Sequence, residues 1–354
     1  MIDIDASMGE GGGQIVRSAL ALAACSGVAI KLRNIRAHRD NPGLRAQHLA
    51  AVHAVASLCG AHTAGAALAS RELTFEPGPV CPGLYEVDVG TAGSTMLVLQ
   101  TVLPALSLCE RPSQIVFRGG THNPRAPTYE FVRDSYLPLL ERLGFKARIT
   151  LERHGFYPRG GGVVRASIEP LRRGQSLELL ERGALRARSA IVLLSGLPEH
   201  IGRREIATLR ERLGLPENSC SVQNVAAHGA GNVVHVRIDC QNLTAVFAGF
   251  GTRGVPAERV AGQVAHDVEQ YLDANVAVDG HLADQLLLPL ALAAGGSFST
   301  LPPTAHTATN AAVIGRFLPI DYVAGEVGSG RWNIALRPRA PAVKSARQPR
   351  AHPR

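Results

Sequence analysis

Along the chain, segments in which apolar side chains have the spacing typical of a strand alternate with segments in which they have the spacing typical of a helix. The first quarter predicts helices at 15–25 and 44–58, and the second of these stops at Gly60, a residue type that favours the C-terminal cap of a helix. Short apolar and alternating segments predict strands at 2–5, 28–33, 72–75 and 85–89. This part of the chain therefore predicts a mixed unit of strands and helices.

A related succession of glycine, apolar helix, strand, polar link and second helix occurs twice more. The second copy opens at Gly93 and closes with a helix at 128–143, and the third opens at Gly280 and closes with a helix at 309–317. In every copy a histidine follows the opening glycine after 25 to 29 residues; these histidines are His38, His122 and His306. The recurrence predicts an α/β (α+β) protein whose large domain consists of three βαβα-type repeats.

Residues 183–275 interrupt this rhythm and predict a smaller α/β domain inserted before the third repeat. Their helices are predicted at 203–213 and 256–272, with a glycine-rich loop at 248–254. Their predicted strands are at 190–194, 221–226 and 232–239. The predicted organisation is a large catalytic domain at 1–182 and 276–336, the inserted domain at 183–275 and a disordered basic tail at 337–354.

The net charge of +8 is concentrated in that tail. Beyond position 336 the chain carries six basic residues and no acid, so the remaining sequence is close to +2. A nucleic-acid site must therefore be a local cluster of charge and not a whole basic face.

The six cysteines are dispersed and form no C-x-x-C pair, so structural zinc is not expected and free thiols in a reducing cytoplasm fit best. No apolar run approaches the length of a membrane span, and the N-terminal residues do not resemble a signal peptide. We therefore expect a cytoplasmic protein without a membrane partner.

Residues 9–14 place four glycines around Glu10 just before the first apolar helix. Glycine lets a backbone approach a ligand closely, and a helix N-terminus presents unpaired N–H groups to an anion. Glu10 is therefore a candidate ligand for a divalent metal, although a tight turn capped by a short acid also explains the segment. The loop matches neither a P-loop nor a dinucleotide fingerprint, which argues against a P-loop kinase and a Rossmann dehydrogenase.

Gln100, Asp284 and Gln285 stand inside otherwise apolar helical runs. Burying an amide or a carboxylate without a partner costs about 1–3 kcal/mol or more, so each of these groups requires a partner. Hydrogen bonds between repeats and a shared ligand at converging helix starts would both satisfy them.

Basic side chains cluster around the first polar link, where Arg17, Arg36, Arg39 and Arg45 accompany His48. Guanidinium groups match phosphate oxygens with two parallel hydrogen bonds, which favours a phosphate site. Scattered arginines usually belong to a solvated surface. Their position beside a glycine loop favours the phosphate interpretation.

Histidine is the most plausible covalent nucleophile, because no serine stands in G-x-S-x-G and no cysteine has an activating setting. His306 is distinguished by a proline-rich approach and by the Thr-Ala-Thr-Asn sequence that opens a helix. A neutral imidazole there could attack a phosphorus atom whose charge is neutralised by a metal and by arginine. His38 and His122 occupy matching places in the other repeats and remain competitors.

Six ordered motifs resemble those of the RNA 3′-terminal phosphate cyclases, and the resemblance extends from the first residues to about Leu336. The motifs lie at 10–18, 41–49, 119–124, 155–162, 281–286 and 305–310. The resemblance implies three repeats like the C-terminal domain of a translation initiation factor, with a small inserted α/β domain. It also implies a cytoplasmic ligase that uses ATP with Mg²⁺ or Mn²⁺, acts on RNA with a 3′-phosphate end, and is a monomer or a homodimer.

The implied reaction has three steps. His306 attacks the α-phosphorus of ATP, releases diphosphate and becomes adenylylated. The AMP passes to the RNA 3′-phosphate, and the neighbouring 2′-hydroxyl then displaces AMP and leaves a 2′,3′-cyclic phosphate. A terminal ribose is required, because cyclisation needs the 2′-hydroxyl.

By position, the resemblance assigns the metal to Glu10. The implied nucleotide contacts are Gln100, His281, Leu282, Ala283, Asp284 and Gln285. The implied polar and phosphate-binding set is Arg17, Arg36, Arg39, Gln47 and His48. His281 departs from the family, in which an aromatic residue is common at this place, so stacking on the adenine is expected to be altered.

Two other classes of function compete with this interpretation. A non-catalytic relative of the same fold, binding RNA during ribosomal-RNA processing, would lack the nucleophile, and the intact context of His306 argues against it. An enolpyruvyl transferase built from similar repeats would need about twice as many of them, which this chain lacks.

Overall fold

The computed structural model describes residues 1–328 and 330–339, so most of the predicted basic tail lies outside the described residues. Within them the chain is a mixed α/β protein with four four-stranded sheets. In this part of the chain no helix is long and apolar enough to cross a bilayer.

The first sheet and its helices occupy residues 2–76. The strands are β1 (Ile2–Asp5), β2 (Ile30–Arg33), β3 (His62–Ala64) and β4 (Leu73–Glu76), and the helices are α1 (Gly13–Ser26) and α2 (Ala46–Cys59). β1 and β2 are parallel because α1 carries the chain back between them, whereas β4 is antiparallel to β2 and β3. As predicted, α2 ends at Gly60, which adopts the left-handed conformation.

The second sheet repeats this arrangement. Its strands are β5 (Leu84–Asp88), β6 (Ser113–Gly119), β7 (Lys146–Arg153) and β8 (Gly162–Glu169). Its helical segments are α3 (Thr95–Ser107), α4 (Tyr129–Phe131), a π-helical turn (Val132–Tyr136) and α5 (Leu137–Arg142). The predicted continuous helix at 128–143 is therefore helical throughout but wider in its middle turn.

After the short strand β9 (Leu177–Leu179) the chain forms a separate sheet with its own helices. These elements are β10 (Leu185–Ser195), α6 (Glu199–Leu213), β11 (Cys220–Asn224), β12 (Gly231–Cys240), β13 (Thr244–Phe250) and α7 (Ala257–Asp273). They enclose a core of their own around Leu194, Val236 and Tyr271. The predicted loop at 248–254 begins too early, because β13 pairs with β12 as far as Phe250.

The chain then completes a third unit. Its elements are α8 (Gly280–Leu292), β14 (Gly296–Thr300), α9 (Ala305–Gly315), β15 (Ile320–Gly328) and β16 (Arg331–Pro338). β9 pairs with β14 in parallel, so β9 is the first strand of this sheet although the elements from β10 to α7 separate it from α8.

The three sheets share one strand order, first–second–fourth–third, as β1-β2-β4-β3, β5-β6-β8-β7 and β9-β14-β16-β15. Each unit thus has the element order βαβαββ. Of the closing strands, the sequence predicted only the one at 72–75, which corresponds to β4. β3 was missed because both its end residues are exposed, which leaves no apolar signal. The strand predicted at 85–89 opens the second unit and does not close the first.

Two boundaries near the end of the chain also differ from the predictions. β16 continues to Pro338 and Arg339 pairs with Asp321, so the predicted tail starts three residues too early. α9 begins at Ala305 and not at 309, because the hydroxyl of Thr304 accepts the N–H of Thr307 at 3.3 Å and caps the helix there. The earlier start places His306 in the first helical turn.

Helix α1 is the central element of the large core. It is buried through Ile15 and Leu20 and packs against α2, α3 and α9, while α9 packs in turn against α8. This packing brings the N-terminal ends of α1, α8 and α9 to the same side of the molecule.

Candidate active site

A cavity of about 1670 Å³ opens where the N-terminal ends of α1, α3, α8 and α9 meet. Residues 246–250 of β13 and the loop at 124–128 line its opposite side. The helix starts direct their unpaired N–H groups and positive dipole ends towards this side of the fold, which favours an anionic ligand.

The glycine loop before α1 is fixed by two close approaches. Gly9 has φ +56°, and a Cβ atom on it would lie 2.0 Å from the hydroxyl oxygen of Thr309. A Cβ atom on Gly13 would lie 2.0 Å from Nε2 of His48. Both positions therefore require glycine, and the loop is held against α9 on one side and against α2 on the other.

His306 is held by one group of this loop and by one group in the first turn of α1. Its Nδ1 lies 2.6 Å from Oε2 of Glu10 and 2.9 Å from Oε1 of Gln14. Both neighbours are acceptors, so the proton of the neutral ring belongs on Nδ1 and the lone pair on Nε2. The side chain is 47% exposed and lines the cavity, which leaves an unprotonated Nε2 available for attack.

The pKa of His306 lies below its usual value. Partial burial is the main cause, the Asp284 carboxylate opposes it, and the nearby Arg17 and Arg39 guanidinium groups add to it. The imidazole is therefore neutral at pH 7, the state that a nucleophile requires.

A chain of hydrogen bonds joins α1, α8 and α9 beneath His306. The Gln14 amide donates to Oδ1 of Asp284, the Asn310 amide donates to the Asp284 backbone carbonyl at 2.9 Å, and the Ser18 hydroxyl donates to Oδ1 of Asn310 at 2.7 Å. Burial raises the pKa of Asp284, and the hydrogen bond from Gln14 is the largest of the effects that oppose it. Gln14 thus links the nucleophile to the half-buried carboxyl group of Asp284.

The polar residues inside the apolar helices prove to be both paired and exposed to the cavity. The Gln100 amide of α3 donates to Oε1 of Gln285 of α8, and both side chains line the cavity together with Asp284. The two explanations left open by the sequence are therefore compatible with each other.

The implied nucleotide contacts on α8 lie on two different faces of the helix. His281 and Gln285 line the cavity, but the side chains of Leu282 and Ala283 are buried in the core. Leu282 and Ala283 are thus not side-chain contacts of the cavity, because a helix of 3.6 residues per turn directs them to the opposite face.

The arginines of the predicted phosphate set differ in availability. Burial lowers the pKa of Arg17 to about 10, although the Asp284 carboxylate opposes this. Arg39 pairs with the Glu10 carboxylate. Arg36 donates to the backbone carbonyls of Asn41 at 2.7 Å and Gly43 at 3.3 Å, and so stabilises its own loop. All three line the cavity.

The other two members of the set have structural partners. Burial lowers the pKa of His48 to about 3, with Arg17, Arg36 and Arg45 adding to the effect. Its Nδ1 accepts the Arg45 N–H at 3.1 Å, so His48 is a neutral group and not the cation expected of a phosphate ligand. Gln47 accepts the N–H of Ser94 at 2.9 Å and so anchors the start of α3.

Glu10 is the only member of the implied set assigned to a metal. One carboxylate oxygen pairs with Arg39 and the other with His306. Magnesium is commonly held by one or two carboxylates together with substrate phosphates, and each Glu10 oxygen retains a free lone pair. Glu10 therefore fits as a single protein ligand of an ion held mainly by a phosphorylated substrate.

The competing histidines of the other repeats lie in different settings. His122 is fully buried and bonded to Thr121 and Glu130, so it has no access to the cavity. His38 lines the cavity but lies outside any helix. The sequence analysis did not single out Gln14, Asn310 or β13 as parts of the site. Gln14 and Asn310 nevertheless lie within two of the motifs that it identified.

The comparisons with known proteins agree with the motifs. The sequence profile of the family described as RNA 3′-terminal phosphate cyclase (RTC) matches residues 8–323. The chain is 45% identical over 342 residues to the RNA 3′-terminal phosphate cyclase of Koribacter versatilis, covering 96% of each chain. It is 46% identical to those of Salmonella agona and Pseudomonas fluorescens, covering 91% and 90% of this chain and 93% of each relative.

Among solved structures, the chain is similar to the enolpyruvyl transferase NikO from Streptomyces tendae at a TM-score of 0.37 and 11% identity. That likeness covers 91% of this chain and 46% of the other, and it is too low to bear on the fold or the function.

The fold and the site define a mixed α/β protein with a cleft centred on a neutral histidine. The match over nearly the whole chain then gives the family: the chain belongs to the RNA 3′-terminal phosphate cyclases.

Proposed function

We propose that this protein converts an RNA 3′-terminal phosphate to a 2′,3′-cyclic phosphodiester at the expense of ATP, with His306 as the covalent nucleophile. The observation that carries the proposal is the contact of His306 Nδ1 with Glu10 and Gln14, which leaves the Nε2 lone pair towards the cavity. Family membership supports the reaction class, and the roles of individual residues are inferred from their geometry.

In the first step, Nε2 of His306 attacks the α-phosphorus of ATP. A nitrogen–phosphorus bond forms, the bond to the bridging oxygen breaks, and diphosphate leaves with that electron pair. The ring gains positive charge as the bond forms, and the Glu10 carboxylate beside Nδ1–H stabilises it. This is the role that a buried carboxylate has behind a catalytic histidine.

Charge neutralisation supplies most of the catalysis in phosphoryl transfer, where the protein mainly positions its substrates. Arg17 and Arg39 line the cavity near His306 and are suited to the phosphate oxygens. Glu10 would hold a divalent ion, Mg²⁺ or Mn²⁺, and such an ion would neutralise part of the triphosphate charge. The N-terminal ends of α8 and α9 add the positive ends of their dipoles.

In the second step, an oxygen of the RNA 3′-phosphate attacks the phosphorus on His306 and releases the neutral imidazole, forming RNA-3′-pp-5′-A. In the third, the terminal 2′-oxygen attacks the 3′-phosphorus, loses its proton and displaces AMP. Ligand pockets are commonly about 300–1,000 Å³, and the larger cavity here has room for a nucleotide beside the end of an RNA strand.

The shared strand order of the three sheets supports the related proposal that they are repeats of one unit, like the C-terminal domain of a translation initiation factor. Residues 183–275 would then be an insertion between the first strand and the first helix of the third repeat. Its strand β13 lines the cavity, which gives the insertion a place in substrate binding.

The test is incubation of the protein with ATP, a divalent ion and a short RNA ending in a labelled 3′-phosphate. We expect a phosphatase-resistant end that comigrates with a 2′,3′-cyclic phosphate. A matched oligonucleotide whose last sugar lacks the 2′-hydroxyl should yield no cyclic phosphate and should stop at the adenylylated 3′-phosphate. A labelled end that stays fully sensitive to phosphatase would refute the reaction and favour the non-catalytic, RNA-binding relative.

A further inference from the structure

A second histidine-rich cluster, whose members do not line the catalytic cavity, lies where the second unit meets the sheet of β10–β13. His122 follows β6, Glu130 is in α4, and His235 is on β12. The elements that carry these residues pack in two separate hydrophobic cores, β6 and α4 in one and β12 in the other. Nothing in the reaction proposed above uses them.

The distances within the cluster are those of a metal site. Nε2 of His122 is 2.8 Å and Nε2 of His235 is 3.3 Å from the same oxygen, Oε2 of Glu130. The ligand atoms of the three residues all lie within 4.8 Å of one another. Ligands at zinc bond lengths in tetrahedral geometry are separated by about 3.3 Å, so small side-chain movements would admit an ion.

The surroundings hold the ligands in place. Nδ1 of His122 lies 2.7 Å from the hydroxyl of Thr121, which in turn accepts the Gly155 N–H at 2.9 Å. With the proton on Nδ1, this contact fixes the His122 tautomer that presents Nε2 to a metal. The ring of His154 stacks on His122 at 5.3 Å and restricts its rotation.

The fourth position of a tetrahedral site would face Thr128. Its hydroxyl lies 3.2 Å from Nε2 of His235, and Thr128 lines the catalytic cavity. Nδ1 of His235 is buried without a partner among the described residues, but one desolvated N–H costs far less than a zinc site with three protein ligands contributes.

We propose that His122, Glu130 and His235 bind one Zn²⁺ ion that joins the second unit to the inserted sheet. Two imidazoles and a carboxylate form a donor set that suits zinc, whereas magnesium and calcium prefer oxygen ligands. The dispersed cysteines gave no sign of such a site, because none of its ligands is a thiol. The ion would be structural and distinct from the one assigned to Glu10.

The test uses the full-length protein, stripped with a chelator and then given Zn²⁺ or Co²⁺ alone, without ATP or RNA. We expect one zinc per chain after removal of free metal, and the visible absorption of tetrahedral Co²⁺ with nitrogen ligands. His235→Ala and Glu130→Gln should lose both signals. His53→Ala, which removes an exposed histidine of α2, and Glu10→Gln, which removes the carboxylate assigned to the other ion, should keep them.

The proposal is overturned if the wild type retains no zinc, or if His235→Ala retains one ion per chain. Circular dichroism identifies variants that fail to fold, and in that case the wild-type stoichiometry and cobalt spectrum decide the matter. Because no substrate is present, the result is independent of whether the protein proves to be a cyclase.

Discussion

Glu205 provides a quantitative test of the electrostatics of the sheet of β10–β13 and its helices. This glutamate of α6 is fully buried, and only Oε2 has a partner, accepting the Asn232 amide at 2.8 Å. Oε1 is buried without a partner among the described residues. Burial raises the pKa of Glu205 from 4.5 to about 7, although the Asn232 hydrogen bond and the Arg204 charge oppose the change.

The direction in which stability changes with pH follows from how tightly each state binds the Glu205 proton. Because the folded state holds the Glu205 proton more tightly than the unfolded state, stability is lost as pH rises from 4.5 towards 7. Each pKa unit corresponds to about 1.4 kcal/mol, so the penalty is below about 1 kcal/mol at pH 5 and about 3 kcal/mol at pH 8.

Glu205→Gln removes this titration and keeps an acceptor for Asn232. The unfolding free energy of the variant, relative to the wild type, should therefore rise by about 2–3 kcal/mol between pH 5 and pH 8. Urea unfolding followed by circular dichroism measures it, with the exposed Glu211→Gln on the same helix as control. If the difference in unfolding free energy between Glu205→Gln and the wild type is the same at pH 5 and pH 8, the raised pKa of Glu205 is refuted.

Three further predictions concern the catalytic cavity. Gln14→Ala removes an acceptor from His306 and should slow adenylylation in a single turnover by about 10- to 100-fold; an unchanged rate would exclude a positioning role. The lowered pKa of His306 should keep adenylylation active until pH falls below 6.5, and a midpoint above pH 7 would contradict a neutral nucleophile. Gly13→Ala puts a methyl group against the His48 ring and should cost about 1–3 kcal/mol of unfolding free energy. Gly315→Ala has open space around it and should not have this cost. Equal effects of the two variants would refute the close approach of Gly13 to His48.

Local pattern predicted most elements of the fold, and the misses have physical causes. The end of β13, at 248–250, was interpreted as part of a glycine-rich loop because Gly249 weakens the local strand signal, and residues 244–247 were assigned to no element. Pairing with β12 decides its conformation, and that partner is not visible in a local window. The start of α9 at Ala305 was missed because the cap depends on one threonine hydroxyl.

The sequence alone could identify those residues of the candidate site whose role depends on their own side chain and local context. Glu10 and His306 could be singled out by their contexts, whereas Gln14 acquires meaning only when α1 lies beside α9. Leu282 and Ala283 were included because a motif spans both faces of a helix, and helical periodicity could have excluded them. The cluster of His122, Glu130 and His235 depends entirely on tertiary packing.

The central claim is that His306 carries the nucleotide as a covalent intermediate. It is tested most directly by incubating the protein with α-labelled ATP and a divalent ion, then locating the label by acid lability and peptide mapping. We predict acid-labile label on the peptide that contains His306, and none in a His306→Asn variant that retains its fold. Equal labelling of that variant, or label confined to another residue, would contradict the account.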